Sequence, residues 1–125
     1  PQDSILILDT IGELARVYAL ADIVTVGGSF INWGGHNVLQ PMAQGKPVIV
    51  GPHTHNFRDI VRLCKAEEAL VQLSSADELA GTVGRILSSP GEAELLSVRA
   101  LKVVKSNQGA SARAATRLVE LLNRQ

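Results

Sequence analysis

The sequence predicts an α/β domain built on a Rossmann-like parallel sheet flanked by helices. Three observations carry that expectation. Short aliphatic runs alternate with helical patterns through the first two-thirds of the chain, the order expected of βαβ units. The apolar residues are overwhelmingly aliphatic, 46% hydrophobic against 3% aromatic, which suits strands buried on both faces. Loops rich in glycine, small hydroxyls and histidine follow three of the strand candidates, where open parallel sheets bind ligands. With 125 residues, the chain fits one domain or one half of a larger enzyme. Its alternating βα core covers about residues 1–88 and its C-terminal helices about 89–125.

In chain order, Ser4-Ile5-Leu6-Ile7-Leu8 reads as a fully buried strand. Thr10 and Glu13 have capping-box spacing, with Thr10 as N-cap. The helix that follows turns Leu14, Val17, Tyr18 and Ala21 inward. Ile23-Val24-Thr25-Val26 is the second strand, and residues 27–35 form a glycine-rich loop. Asn37 caps a short helix to about Gln44, which Pro41 keeps short. Pro47-Val48-Ile49-Val50 is the third strand. Asn56 caps a helix with Ile60, Val61 and Cys64 inward, and Ala69–Leu73 is the fourth strand. Ser75–Glu78 is a second capping box, opening a helix with Leu79, Val83, Ile86 and Leu87 on one stripe. Ser89-Pro90-Gly91-Glu92 is a third, with proline at the favoured first position. Leu95, Val98, Leu101 and Val104 or Lys105 continue that helix. Asn107-Gln108-Gly109 is expected to break it, leaving a last helix over 110–123 with Ala114, Leu118, Leu121 and Leu122 inward.

Composition excludes several classes. Twelve basic and twelve acidic residues give zero formal charge, which argues against broad electrostatic binding of nucleic acid. Few aromatics argue against base stacking on single strands. A single cysteine, Cys64, excludes an intrachain disulfide or a multi-cysteine zinc site. It reads as a buried, inert thiol. No apolar run has the length of a membrane span and no signal peptide is visible. The chain starts Pro1-Gln2-Asp3, which reads as a segment of a longer protein. From Arg99 to Gln125 there are six basic residues and one acid, net +5. Their dispersal reads as a solvated helix face rather than a lipid-binding cluster.

The candidate chemistry lies in three loops: Asp9–Glu13, Gly27–Asn37 and Gly51–Phe57. Glycines let backbone N–H groups approach an anion, and a helix start adds partial positive charge. No Lys or Arg lies between Arg16 and Lys46, so a phosphate there would rest on N–H dipoles and His36. The pattern is neither G-x-G-x-x-G nor a P-loop, and glycines that only make turns remain the alternative. Glu13 and Gln40 each also read as helix-cap residues. His53 and His55 have chelating spacing, but without a supporting ligand set no metal site is expected. Neither a Ser-His-Asp arrangement nor a pair of catalytic carboxylates is present. The visible chemistry is nucleotide or phosphate holding rather than bond making.

Taken in order, Asp9-Thr10-Ile11-Gly12-Glu13-Leu14, Ala21-Asp22, Val26-Gly27-Gly28-Ser29, Gly34-Gly35-His36-Asn37-Val38-Leu39-Gln40-Pro41, Lys46-Pro47-Val48-Ile49, Gly51-Pro52-His53 and Asn107-Gln108-Gly109-Ala110 closely resemble the C-terminal half of 3-deoxy-D-manno-octulosonic acid (Kdo) transferases. The resemblance covers nearly the whole chain. It implies the C-terminal domain, lacking its first strand region, of a GT-B glycosyltransferase with two Rossmann-like domains. In such enzymes this half binds CMP-Kdo, and the N-terminal domain binds the lipid A precursor and carries a glutamate base. The intact enzyme acts in lipopolysaccharide biosynthesis at the cytoplasmic face of the bacterial inner membrane, without metal or cofactor. By this resemblance no catalytic residue lies in the chain, which alone is soluble and inactive. The nucleotide contacts carried over, with the glycine loop, are Ile11, Gly12, Glu13, Gly28, Ser29, Gly35, His36, Asn37, Val38, Leu39 and Gln40. Two departures stand out: Gln40 where the family usually has Glu, and Val38 where it has Pro. Other GT-B transferases or epimerases, and a non-catalytic nucleotide-binding domain, stay open as readings.

Overall fold

The computed structural model describes residues 4–124. Three short parallel strands form its sheet: β1 (Val24–Val26), β2 (Val48–Val50) and β3 (Val71–Gln72), in the order β1-β2-β3. Val24, Thr25 and Val26 lie opposite Val48, Ile49 and Val50, and Ile49 and Val50 lie opposite Val71 and Gln72. β2 is the central strand and all three of its residues are buried, the environment that a continuous aliphatic run suits.

Five helices surround it: α1 (Leu14–Tyr18), α2 (Leu39–Ala43), α3 (Arg58–Ala66), α4 (Leu79–Leu87) and α5 (Pro90–Asn123). Alternation along β2 divides the core between the two sheet faces. Val48 and Val50 join Val38, Met42, Val61, Cys64, Ala100, Val103 and Val104 in one cluster. Ile49 joins Leu73, Ile86 and Leu96 in the other. α5 reaches both clusters, and an Arg85–Glu92 ion pair of 3.2 Å ties its first turn to α4. The predicted α/β architecture with a parallel sheet is present.

Several local expectations are corrected. Ser4–Leu8 forms no strand, and Ile5, Leu6 and Ile7 are 95%, 89% and 82% exposed. A buried strand needs a ladder partner, and no strand among the described residues lies beside this segment. Thr10 does not cap α1. Glu13 takes the cap position, and the Thr10 hydroxyl instead donates to the Glu13 carboxylate at 2.7 Å. On α1, Tyr18 packs against the core with nearby Ala21, while Leu14 and Val17 are largely exposed. Asn56 is not a cap either: it lies in a 3-10 turn before α3, and its amide donates to the Trp33 carbonyl at 3.0 Å. In the second capping box, Glu78 accepts from the Ser74 amide at 2.8 Å, one residue before Ser75. The third is as expected, with the Ser89 hydroxyl accepting from the Glu92 amide and Pro90 opening the helix.

The largest correction concerns the C-terminal third. α5 runs unbroken for 34 residues, through Asn107-Gln108-Gly109. Its buried side is Leu96, Ala100, Val103 and Val104, whereas Leu95, Val98 and Leu101 are exposed. Leu87 on α4 is exposed too, as are Ala114, Leu118, Leu121 and Leu122 on α5. Apolar residues at helical spacing define several stripes on one helix, and only the packing partner selects one. Beyond residue 109 every described residue is exposed.

Candidate functional site

The loop after β1 starts with a 3-10 turn, Gly27–Ser29, and returns through Gly34 and Gly35 to α2. Ser29 holds it in place. Its buried hydroxyl donates to the Val26 carbonyl and accepts from the Gly51 amide at 2.7 Å, so the carboxyl ends of β1 and β2 are tied through one side chain. The His53 amide adds a bond to the Ser29 carbonyl at 2.8 Å. Gly34 and Gly35 have φ of +100° and +85°, the left-handed region that glycine enters without strain. A Cβ on Gly34 would sit 2.3 Å from the Asn56 amide nitrogen. That glycine thus lets the β1 and β2 loops meet.

Gly28 has another role. A Cβ there would lie 2.9 Å from the His36 imidazole, so the ring rests directly on the Gly28 backbone. The Gly35 amide donates to the Gly28 carbonyl at 3.2 Å and is already used. By contrast, the His36 and Asn37 amides make no hydrogen bond among the described residues. Asn37 does engage the helix start, its side-chain oxygen accepting from the Leu39 amide at 3.0 Å. The cap position itself is Val38.

His36, Asn37 and Gln40 line a cleft of about 430 Å³ with Leu14, Tyr18 and the β1 backbone as far as Gly27. The cleft runs along the edge strand of the sheet and reaches its carboxyl end. Its lining includes no Asp, Glu, Lys or Arg. Burial pushes the Tyr18 phenol above its usual pKa. The other predicted site residues stand differently. Val38 is buried in the core and Leu39 is half-buried against it. Ile11 is fully exposed. Gly12 has φ +96° with open space around it, and Glu13 is engaged by Thr10. Ser29 and Gly35 are structural ties behind the loop. Gly27 belongs to the candidate glycine loop, whereas Leu14, Tyr18 and Thr25 are site residues that the sequence reading does not include; the i, i+4 spacing of Leu14 and Tyr18 on one helix face is the available signal.

Among the described residues, no group of three His, Cys, Asp or Glu side chains could hold a metal ion. Cys64 is buried as expected, with its thiol against the Met42 sulfur at 3.7 Å, and desolvation pushes its pKa from 9.0 up to about 11. No described helix is long and apolar enough to cross a membrane.

An open parallel sheet with a polar cleft at its carboxyl rim defines an α/β domain of Rossmann-like build. No family model matches the chain. Individual proteins do. The 3-deoxy-D-manno-octulosonic acid transferase of Haemophilus influenzae is 39% identical over 115 residues, 91% of this chain and 26% of that protein. The Bordetella pertussis protein of the same name is 36% identical over 122 residues, 98% of this chain and 28% of its own length. Among solved structures, the C-terminal CMP-Kdo binding domain of WaaA from Acinetobacter baumannii superposes with a TM-score of 0.74 at 37% identity, covering 78% of this chain and 51% of that one. The chain belongs to the 3-deoxy-D-manno-octulosonic acid transferase family, where its counterpart is the C-terminal domain. It spans about a quarter of the length of the curated relatives it matches.

Proposed function

We infer that the chain is the donor-binding part of a Kdo transferase, and that the β1 cleft receives the nucleotide of CMP-Kdo. The observation that carries this is the convergence of His36, Asn37 and Gln40 on one cleft at the carboxyl rim of the sheet. Family membership supplies the choice of nucleotide. In this reading the free amides of His36 and Asn37 face the phosphate. They would stabilise the charge that builds on CMP as it departs. Gln40 takes the ribose hydroxyls, and Gly12 and Glu13 precede the cleft residue Leu14 in the chain.

The remaining chemistry belongs to the intact enzyme. Transfer with inversion to a lipid A precursor needs a base to take the acceptor proton, and the candidate cleft offers no carboxylate for it. The base is assigned to the N-terminal domain of the intact protein. That enzyme would work at the cytoplasmic face of the bacterial inner membrane, where its lipid acceptor lies. The chain alone would bind donor and turn nothing over.

Calorimetric titration with CMP and UMP tests the reading, with amide spectra identifying the site. CMP should bind more tightly and move the His36 and Asn37 amides. A preference for UMP, or binding that leaves both amides unmoved, would reject it. Transfer of Kdo by the isolated chain would reject the placement of the base.

A further inference from the structure

A second pocket, of about 210 Å³, lies between α3 and the end of β3 and is lined by Thr54, Arg58, Val61, Arg62, Lys65 and Gln72. Thr54 follows β2, and Gln72 ends β3, so the pocket opens at the carboxyl rim that carries the first cleft. Arg58, Arg62 and Lys65 stand at i, i+4 and i+7, a stripe spanning about 10 Å along one face of α3. No carboxylate lines the pocket. None of the three cations has a salt-bridge partner among the described residues. Asp59 is not among the lining residues, and Glu68 is held by Arg99 at 3.7 Å.

This arrangement is unfavourable for the helix alone. Like charges at i, i+4 repel, and Arg58, the first helical residue, opposes the positive end of the helix dipole. The neutral side of the pocket is also set for an anion. The Gln72 amide donates to the Gly51 carbonyl at 3.1 Å and to the Thr54 hydroxyl oxygen at 3.4 Å. With its oxygen accepting, the Thr54 hydroxyl has its proton left to give, and it makes no other hydrogen bond among the described residues.

We propose that this pocket is an anion site, distinct from the β1 cleft, that takes a phosphoryl group. Two guanidinium forks, an ammonium and a hydroxyl match the several oxygens of a phosphate dianion better than the two of a carboxylate. A soluble phosphate ester and a lipid headgroup both present such a group, with the same oxygens.

Inorganic phosphate, titrated into the ¹⁵N-labelled chain against sodium chloride of equal ionic strength, is the direct probe. Saturable shifts of the Thr54 amide and the Arg62 side chain are expected. Arg62→Gln should weaken binding about tenfold, the loss of one charge-assisted contact. Thr54→Val should weaken it too, with the melting temperature of each variant checking the fold. Lys105→Gln, which removes an exposed cation outside both pockets, should leave phosphate binding unchanged. Equal shifts with chloride, an unchanged affinity in Arg62→Gln, or a matching loss in Lys105→Gln would each overturn the site. Co-sedimentation with phosphatidylcholine vesicles containing phosphatidate then separates the sources. Binding lost in Arg62→Gln assigns a lipid headgroup, and absence of pelleting alongside intact phosphate binding assigns a soluble ester.

Discussion

Ser29 carries more of the site than its exposed neighbours. Its hydroxyl is buried, and it serves both the β1 end and the Gly51 amide. Replacing it with alanine leaves the buried Gly51 N–H without its acceptor. Ser29→Ala should therefore cost about 1–3 kcal/mol, seen in urea unfolding as a lower midpoint with an unchanged slope. A loss below about 0.5 kcal/mol would show that another group accepts from Gly51. Gln40 acts in the opposite sense: it is exposed, and nothing in the fold requires an amide there. A carboxylate would accept from both ribose hydroxyls with charge assistance, whereas an amide oxygen accepts more weakly. Gln40→Glu should thus tighten CMP by about 1 kcal/mol, roughly fivefold, with stability unchanged. An unaltered calorimetric affinity would place the side chain away from the ribose.

At the scale of elements, α5 shows what helix continuity needs. Gly109 was expected to end a helix, yet backbone hydrogen bonds continue through it, since an isolated glycine costs a helix only about 1 kcal/mol. Gly109→Ala should return that amount. A Cβ there meets only the flexible end of Arg113 at 3.3 Å. The projecting half, residues 110–124, has no buried side chain, so the gain should appear as slower hydrogen exchange over residues 105–123 rather than a higher melting temperature. Unchanged exchange would mean the helix there is already limited by something other than Gly109. The same element marks where the sequence stopped being readable. Val24–Val26 and Val48–Val50 were legible as strands because aliphatic runs bounded by glycine and proline have few other uses. Ser89–Glu92 was legible because a cap is a local bond. The inward stripe of α5 was not, because Leu95, Val98 and Leu101 recur at helical intervals just as Leu96, Ala100 and Val103 do, and the choice belongs to the sheet. Ile5–Ile7 misled for a related reason: composition can ask for a partner strand without supplying one. In the site, the convergence of His36 and Asn37 was legible from the glycines and cap chemistry around them. The burial of Val38 and the structural role of Ser29 were not, since both depend on residues brought together from β2 and its loop.

For the whole molecule, the question is which part of the chain holds the fold together. The two core clusters meet the chain between Val24 and Val104. α5 contributes Leu96 to one and Ala100, Val103 and Val104 to the other, then leaves the body. Residues 110–124 bury nothing within the chain, so a chain ending after Gln108 should melt cooperatively within a few degrees of the full chain. Ending it after Ser97 is different. It removes Ala100, Val103 and Val104 from the cluster beneath β2. At roughly 1.5–3 kcal/mol for each buried valine, and with the uncovered Met42 and Cys64 surface added, the loss is about 4 kcal/mol or more. That is most of the margin of a small domain, whose total stability is on the order of 5–15 kcal/mol. The shorter chain should lose its sharp transition and bind a hydrophobic dye, while the longer one should keep both its transition and its nucleotide affinity, because the β1 cleft draws no residue from beyond Gln40. Loss of CMP binding in the chain ending after Gln108, with its melting unchanged, would show that the projecting helix reaches the nucleotide.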